Sequence, residues 1–74
     1  MAGKLPQLSG RDTVRVLQSF GWQSVRQSGS HIILTKPGSI STLSVPDHKV
    51  VAKGTLRSLI RDADLTVDEF IAAT

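Results

Sequence analysis

The feature that most constrains this chain is how closely its turn signals follow one another in the middle. Between Gly21 and Pro46 stand Ser28-Gly29-Ser30 and Lys36-Pro37-Gly38-Ser39, which cut the stretch into three short segments. Residues 22–27 read as a short strand. His31-Ile32-Ile33-Leu34-Thr35 sets three branched or apolar residues in a row, a composition that favours strand. Residues 40–45 alternate around Leu43 and Val45, and Pro46 is expected to end the ladder. Parallel strands need a crossover of a dozen or more residues. Neither turn has room for one, so the three strands are expected to pair as an antiparallel meander.

Helical patterns flank the meander. Ser9 is a good N-cap, and Asp12 favours the positive end of a helix macrodipole. Leu8, Val14, Leu17 and Phe20 recur near helical spacing, and Gly21 is a natural stop. A helix is therefore predicted over residues 10–20. After a loop from Pro46 to Gly54, Thr55 is expected to cap a helix with Leu56, Leu59 and Ile60 on one face. Asp62-Ala63-Asp64 interrupts it. Thr66 with Glu69 three residues on reads as a capping box, opening a short acidic helix over residues 66–73.

The order α-β-β-β-α-α is of the α+β class: a three-stranded antiparallel sheet with helices packed on one face. The 74 residues are read as one domain, 1–74. One sheet face is then uncovered. Strand alternation turns Ile32, Leu34, Leu43 and Val45 toward the helices and leaves His31, Ile33 and Thr35 on the open face. Ile33 there suggests that something covers that face. Trp22, at the end of the first helix, is read as core rather than as a base-stacking surface.

Composition removes several chemistries. There is no Cys, so disulfides, Cys-based zinc sites and thiol nucleophiles are out. No apolar run approaches the roughly 20 residues of a membrane helix, and residues 1–8 lack the apolar core of a signal peptide. The expected location is the cytoplasm, without membrane contact. Charge is uneven: residues 1–61 carry nine bases and two acids, +7, whereas residues 62–74 carry four acids and no base, −4. A body of that sign attracts polyanions, although an ordinary solvated surface would look the same.

Few residues remain for chemistry. No pair of carboxylates is poised for acid–base work, and no Gly-rich loop has phosphate-loop spacing. His31 and His48 are too far apart in sequence, with too few other ligand types near them, to suggest a metal; no metal or cofactor is expected. His31 follows Gly29-Ser30 at the start of the most apolar strand. It is either a strand histidine hydrogen-bonded to a neighbour or a proton-transfer group, since histidine exchanges protons near neutrality. On a basic surface the second role suits RNA, whose 2′-hydroxyl is an internal nucleophile. His48 is either a solvated loop residue or a phosphate contact. Lys53-Gly54-Thr55 opens a helix, where free amides favour a phosphate, or simply caps it.

Taken together, the motifs resemble the HicA toxin family of bacterial toxin–antitoxin pairs. They are Leu5-Pro6 and Ser9-Gly10-Arg11, then Phe20-Gly21-Trp22, then Val25-Arg26-Gln27-Ser28-Gly29-Ser30-His31, then Val45-Pro46-Asp47-His48, then Lys53-Gly54-Thr55-Leu56-Arg57-Ser58-Leu59-Ile60. The resemblance implies a double-stranded-RNA-binding-like α-β-β-β-α fold and a ribosome-independent mRNA endoribonuclease that arrests translation. It maps the family's catalytic histidine onto His31, with acid and base roles both open. It implies a HicB-type antitoxin that covers His31, and DNA contact only indirectly, through that antitoxin. Arg26, Ser30, Lys36, His48, Lys53, Thr55 and Arg57 are the expected RNA contacts. Lys36, Lys53 and His48 are candidates for a second catalytic group. Two features depart from the pattern: Ile32 follows the histidine where many members carry a second histidine or a polar residue, and an acidic extension follows Leu65. A non-cutting RNA-binding module and a relative that acts only as an interaction partner are the alternatives.

Overall fold

Ser9 sets the first helix. It adopts an extended backbone, and its hydroxyl accepts from the Asp12 N–H at 3.0 Å, satisfying one of the donors a helix start leaves orphaned. In the computed structural model, which describes residues 4–74, α1 then runs Gly10–Gln18. It buries Thr13, Val14, Val16 and Leu17 and exposes Arg11, Arg15 and Gln18. Thr13 is tolerated inside because its hydroxyl donates to the Ser9 carbonyl at 2.8 Å. Regular helix stops two residues before the predicted end. The Gly21 N–H donates to Gln18 O and the Trp22 N–H to Leu17 O, closing the helix around Gly21 at φ 98°. Only glycine takes that left-handed conformation without steric cost.

The sheet follows, with β1 at Gln23–Ser28, β2 at His31–Thr35 and β3 at Leu43–Pro46, in the order β1-β2-β3 and antiparallel throughout. Ser28 pairs with His31, so the hairpin loop is the two residues Gly29 and Ser30. Gly29 has φ 59° and Ser30 does not share a positive φ, the pattern of a type II′ turn whose twist matches a hairpin. The β1–β2 register shifts between Ser24 and Arg26, a bulge centred on Val25.

The third strand begins three residues later than predicted. The ladder to β2 stops at Leu34↔Leu43, and a turn closed by Ser39 N–H to Lys36 O leads residues 40–42 away from any partner. Ile40, read as part of the strand, is fully exposed. Pro46 belongs to β3 as its last residue, opposite His31. A proline fits there because β3 is an edge strand.

The second helix corrects another expectation. α2 runs Lys53–Asp62, with Ala52 rather than Thr55 at the N-cap and no side-chain cap. Tertiary anchoring sets this start: Val51 is buried and its N–H donates to Leu8 O at 2.8 Å, which leaves the Ala52 carbonyl to accept from Leu56. α2 ends with Asp64 at φ 61°. The Asp64 N–H reaches Arg61 O and the Leu65 N–H reaches Ile60 O, the paired bonds of a Schellman cap. α3 runs Val67–Ala72 and carries the predicted capping box, with both Thr66–Glu69 bonds present.

The helices lie on one face of the sheet, as expected. Leu34, Leu43 and Val45 from the sheet are sealed against Leu17, Leu56, Ile60 and Phe70 from the helices. Trp22 is also buried, and its indole N–H has no hydrogen-bond partner among the described residues. The helix layer covers β2 and β3 but not β1, all six residues of which are exposed.

Candidate functional site

His31 opens β2 with Ser28 beside it on β1 and Pro46 on β3. Residues paired across strands share a face. The face opposite the helices therefore carries His31 and Ile33 together with Ser28, Arg26, Ser44 and Pro46. The His31 side chain is exposed, and among the described residues it makes no hydrogen bond or ion pair. A strand histidine locked to a neighbour is therefore not what stands here. The ring is free to meet a ligand.

The turn that presents it is held from below by Asp47. The Asp47 N–H donates to the Ser30 carbonyl at 2.7 Å. Its carboxylate accepts from Arg11 Nε at 3.4 Å and from Gln27 Nε2 at 3.3 Å. One residue thus ties the start of α1, the end of β1 and the residue before His31. Gly10 makes this closeness possible. Its N–H donates to the His48 carbonyl at 2.9 Å, and a Cβ on it would overlap the Pro46 carbonyl oxygen.

The expected RNA contacts divide by position. Ser30 sits in the turn itself. Arg26 pairs with Ile33, diagonal to His31, a placement that spans about 7–8 Å between backbones. His48 is exposed beside Ser9, Arg11, Asp47 and Lys49 around a shallow depression of about 190 Å³. Lys36 lies five residues along from His31, roughly 17 Å at the strand rise, and its stem rests near Gly21. Lys53, Thr55 and Arg57 are exposed on the first turns of α2, in the helix layer behind the sheet. Arg26 and Ser30 thus accompany His31 on the hairpin, whereas Lys36 and the α2 residues stand apart from it.

Sequence reasoning missed a second feature. Between α1 and β1 runs a groove of about 550 Å³. Arg11, Arg15 and Gln18 line it from the helix and Ser24 to Gln27 from the strand, over Val14 and Ile32. It exists because the helix layer stops short of β1. The signal was present: Arg11 and Arg15 are four apart, and Gln18 follows three later, so one helix face carries all three. Read from the sequence, that face contributes only general positive charge. Among the described residues no three His, Asp or Glu side chains form a group able to hold a metal, and no helix is long and apolar enough to cross a membrane.

A family model described as "HicA toxin of bacterial toxin-antitoxin" matches residues 10–65. The span begins at the first residue of α1 and ends at the Leu65 that closes α2, so it contains the hairpin, Asp47 and His48, while α3 falls outside it. A search of curated proteins found no match to the chain.

Proposed function

The chain belongs to the HicA toxin family of bacterial toxin–antitoxin pairs, and from that premise we propose that it is an endoribonuclease that cuts mRNA, with His31 moving the proton. The observation that carries this reading is the His31 ring itself: exposed, without a partner among the described residues, at the tip of a braced hairpin on a basic body. The reaction needs no metal, because the nucleophile is in the substrate. The ribose 2′-oxygen forms a bond to the neighbouring phosphorus as the bond from phosphorus to the 5′-oxygen breaks. A base accepts the 2′-hydroxyl proton and an acid donates one to the leaving 5′-oxygen. His31 performs one of these two transfers. Arg26, diagonal to it, stabilises the charge that builds on the phosphoryl oxygens.

Family membership implies an antitoxin as partner. In this proposal it is a HicB-like protein that covers His31 and the half-buried Ile33 on the open face, and any contact with DNA runs through it. The activity is cytoplasmic, where mRNA is translated. Expression of the chain should arrest growth, and His31→Ala should abolish that arrest at equal protein level. A His31→Ala variant as toxic as the parent refutes the role of His31. Purified protein that shifts RNA in a gel but leaves it intact selects the non-cutting RNA-binding alternative.

A further inference from the structure

We propose that the groove between α1 and β1 is a binding site for the backbone of single-stranded RNA, and that it feeds the strand over the end of the hairpin to His31. The proposal rests on the RNA reading of His31 and adds where the substrate lies. Its first support is charge. Arg11, Arg15 and Arg26 line the groove and no carboxylate does. Three other depressions on the described surface each carry an aspartate: Asp62 and Asp64 in one, Asp12 in another, Asp47 in the third. Arg11 and Arg15 do have acidic neighbours, Asp47 at 3.4 Å and Asp12 at 3.2 Å, but both acids lie outside the groove. Arg26 has no ion pair among the described residues.

The second support is how the lining is built. A regular strand would send alternate side chains to opposite faces. The bulge at Val25 breaks that alternation, so that Ser24, Val25, Arg26 and Gln27 all border the groove. On the facing helix, Arg11 and Arg15 are neighbours one turn apart, about 5–6 Å between Cβ atoms. The two guanidinium groups on the helix wall suit consecutive phosphates of a single strand, and Arg26 stands at the rim where the groove meets the open face. Gln18, Ser24 and Gln27 offer neutral donors and acceptors of the kind that ribose hydroxyls meet. No aromatic residue lines the groove, so bases have no stacking platform there and recognition follows the backbone with little sequence preference.

The third support is continuity with the hairpin. Gln27 ends the groove, donates to the Gly29 carbonyl at 3.4 Å and pairs with Ile32, the residue after His31. A strand leaving the groove there has only the Gly29-Ser30 turn to cross before it reaches His31 on the other face. An acidic protein segment is the competing occupant. It would use the arginines, but it would have no reason to follow the groove to His31, which a substrate strand must reach.

The test uses the full chain carrying His31→Ala, so that bound RNA is not cut. A fluorescent single-stranded RNA of mixed sequence is titrated at several KCl concentrations. Adding Arg15→Ala with Arg26→Ala should weaken binding at least about tenfold, because each lost charge-assisted contact is of that order. The slope of log affinity against log salt should become shallower by about 1.4, near 0.7 for each phosphate contact removed. Arg61→Ala removes a like charge from α2, outside the groove, and should change neither. The Arg15→Lys, Arg26→Lys pair should keep most of the salt slope. All these positions are exposed, and thermal melts check that the variants fold. If the His31→Ala chain binds RNA and the alanine pair matches Arg61→Ala, the groove is overturned while the reading of His31 stands. If the chain ignores RNA but holds a polyglutamate peptide through Arg15 and Arg26, the RNA occupant is overturned. If it binds neither, the groove is no site. With His31 restored, Arg15→Ala alone should weaken cleavage at low RNA concentration and leave the rate at saturating RNA unchanged, the mark of a binding effect, whereas Arg26→Ala should lower the saturating rate as well.

Discussion

Alanine at position 10 would drive a methyl group into the Pro46 carbonyl oxygen and to within 3.0 Å of Asp47 Cα. Two effects oppose each other. Gly→Ala in a helix is worth at most about 0.5–1 kcal/mol, through helix propensity and a less flexible unfolded chain. Against that stands a clash with backbone that has little freedom to retreat. The segment is pinned by Gly10 N–H to His48 O at 2.9 Å, Asp47 N–H to Ser30 O at 2.7 Å and Val51 N–H to Leu8 O at 2.8 Å. Forcing atoms into a filled space costs about 1–3 kcal/mol, and losing one of these bonds adds about 1 kcal/mol. The clash therefore wins, with a net loss of roughly 2 kcal/mol. For a chain of this size that lowers Tm by on the order of 10 °C. A circular-dichroism melt measures it. Growth arrest by the variant, at a temperature where it is still folded, should also weaken, because Pro46 is the strand partner of His31. Gly54→Ala is the matched control. A Cβ at Gly54 meets nothing within 4 Å and the site is already helical, so this variant should gain about 0.4–1 kcal/mol. A Gly10→Ala protein that melts at or above the parent, or shifts in the same direction as Gly54→Ala, would refute the reasoning.

Two further outcomes follow from the caps and the brace. Asp64 closes α2 in a left-handed conformation at φ 61°, so Asp64→Gly should stabilise by about 1 kcal/mol and raise Tm by several degrees; an unchanged or lower Tm counts against the strain assigned there. Asp47→Ala should cost only about 1 kcal/mol, since its Arg11 partner is 73% exposed and solvent screens the pair. Amide hydrogen exchange at Ser30 and His31 should nevertheless accelerate and growth arrest weaken; exchange at the parent's rate would show that Asp47 does not hold the turn.

Where local chemistry decides, sequence and structure agree. Gly29-Ser30 is a turn because a two-residue hairpin loop needs a positive φ, and β2 follows at His31 as expected. The Thr66–Glu69 capping box and the stop at Gly21 are also local, and both are found. Alternation on β2 and β3 correctly turned Leu34, Leu43 and Val45 inward. Failures came where distant contacts decide. Thr55 looks like a cap, yet the pinning of Val51 to Leu8 puts the cap of α2 three residues earlier, at Ala52. Ile40 looks like strand, but the pairing with β2 reaches only as far as Leu34↔Leu43 and leaves it without a partner. At the candidate site the motif around His31 was legible. The brace was not, because Asp47 reaches Arg11 across 36 positions and Gln27 across 20. The groove was hidden for the same reason: its walls, α1 and β1, join only in three dimensions.

The sheet ends in two free edges, and each is blunted differently. On β1 the bulge at Val25 puts the backbone donors and acceptors out of step, and Arg26 stands beside it. On β3, Pro46 has no N–H to offer a further strand. An intact row of unpaired groups is a template on which copies of a chain stack edge to edge. Neither edge supplies one. Deleting Val25 should straighten the β1 ladder and restore an intact edge, so the same irregularity that shapes the groove also removes a template for edge-to-edge pairing.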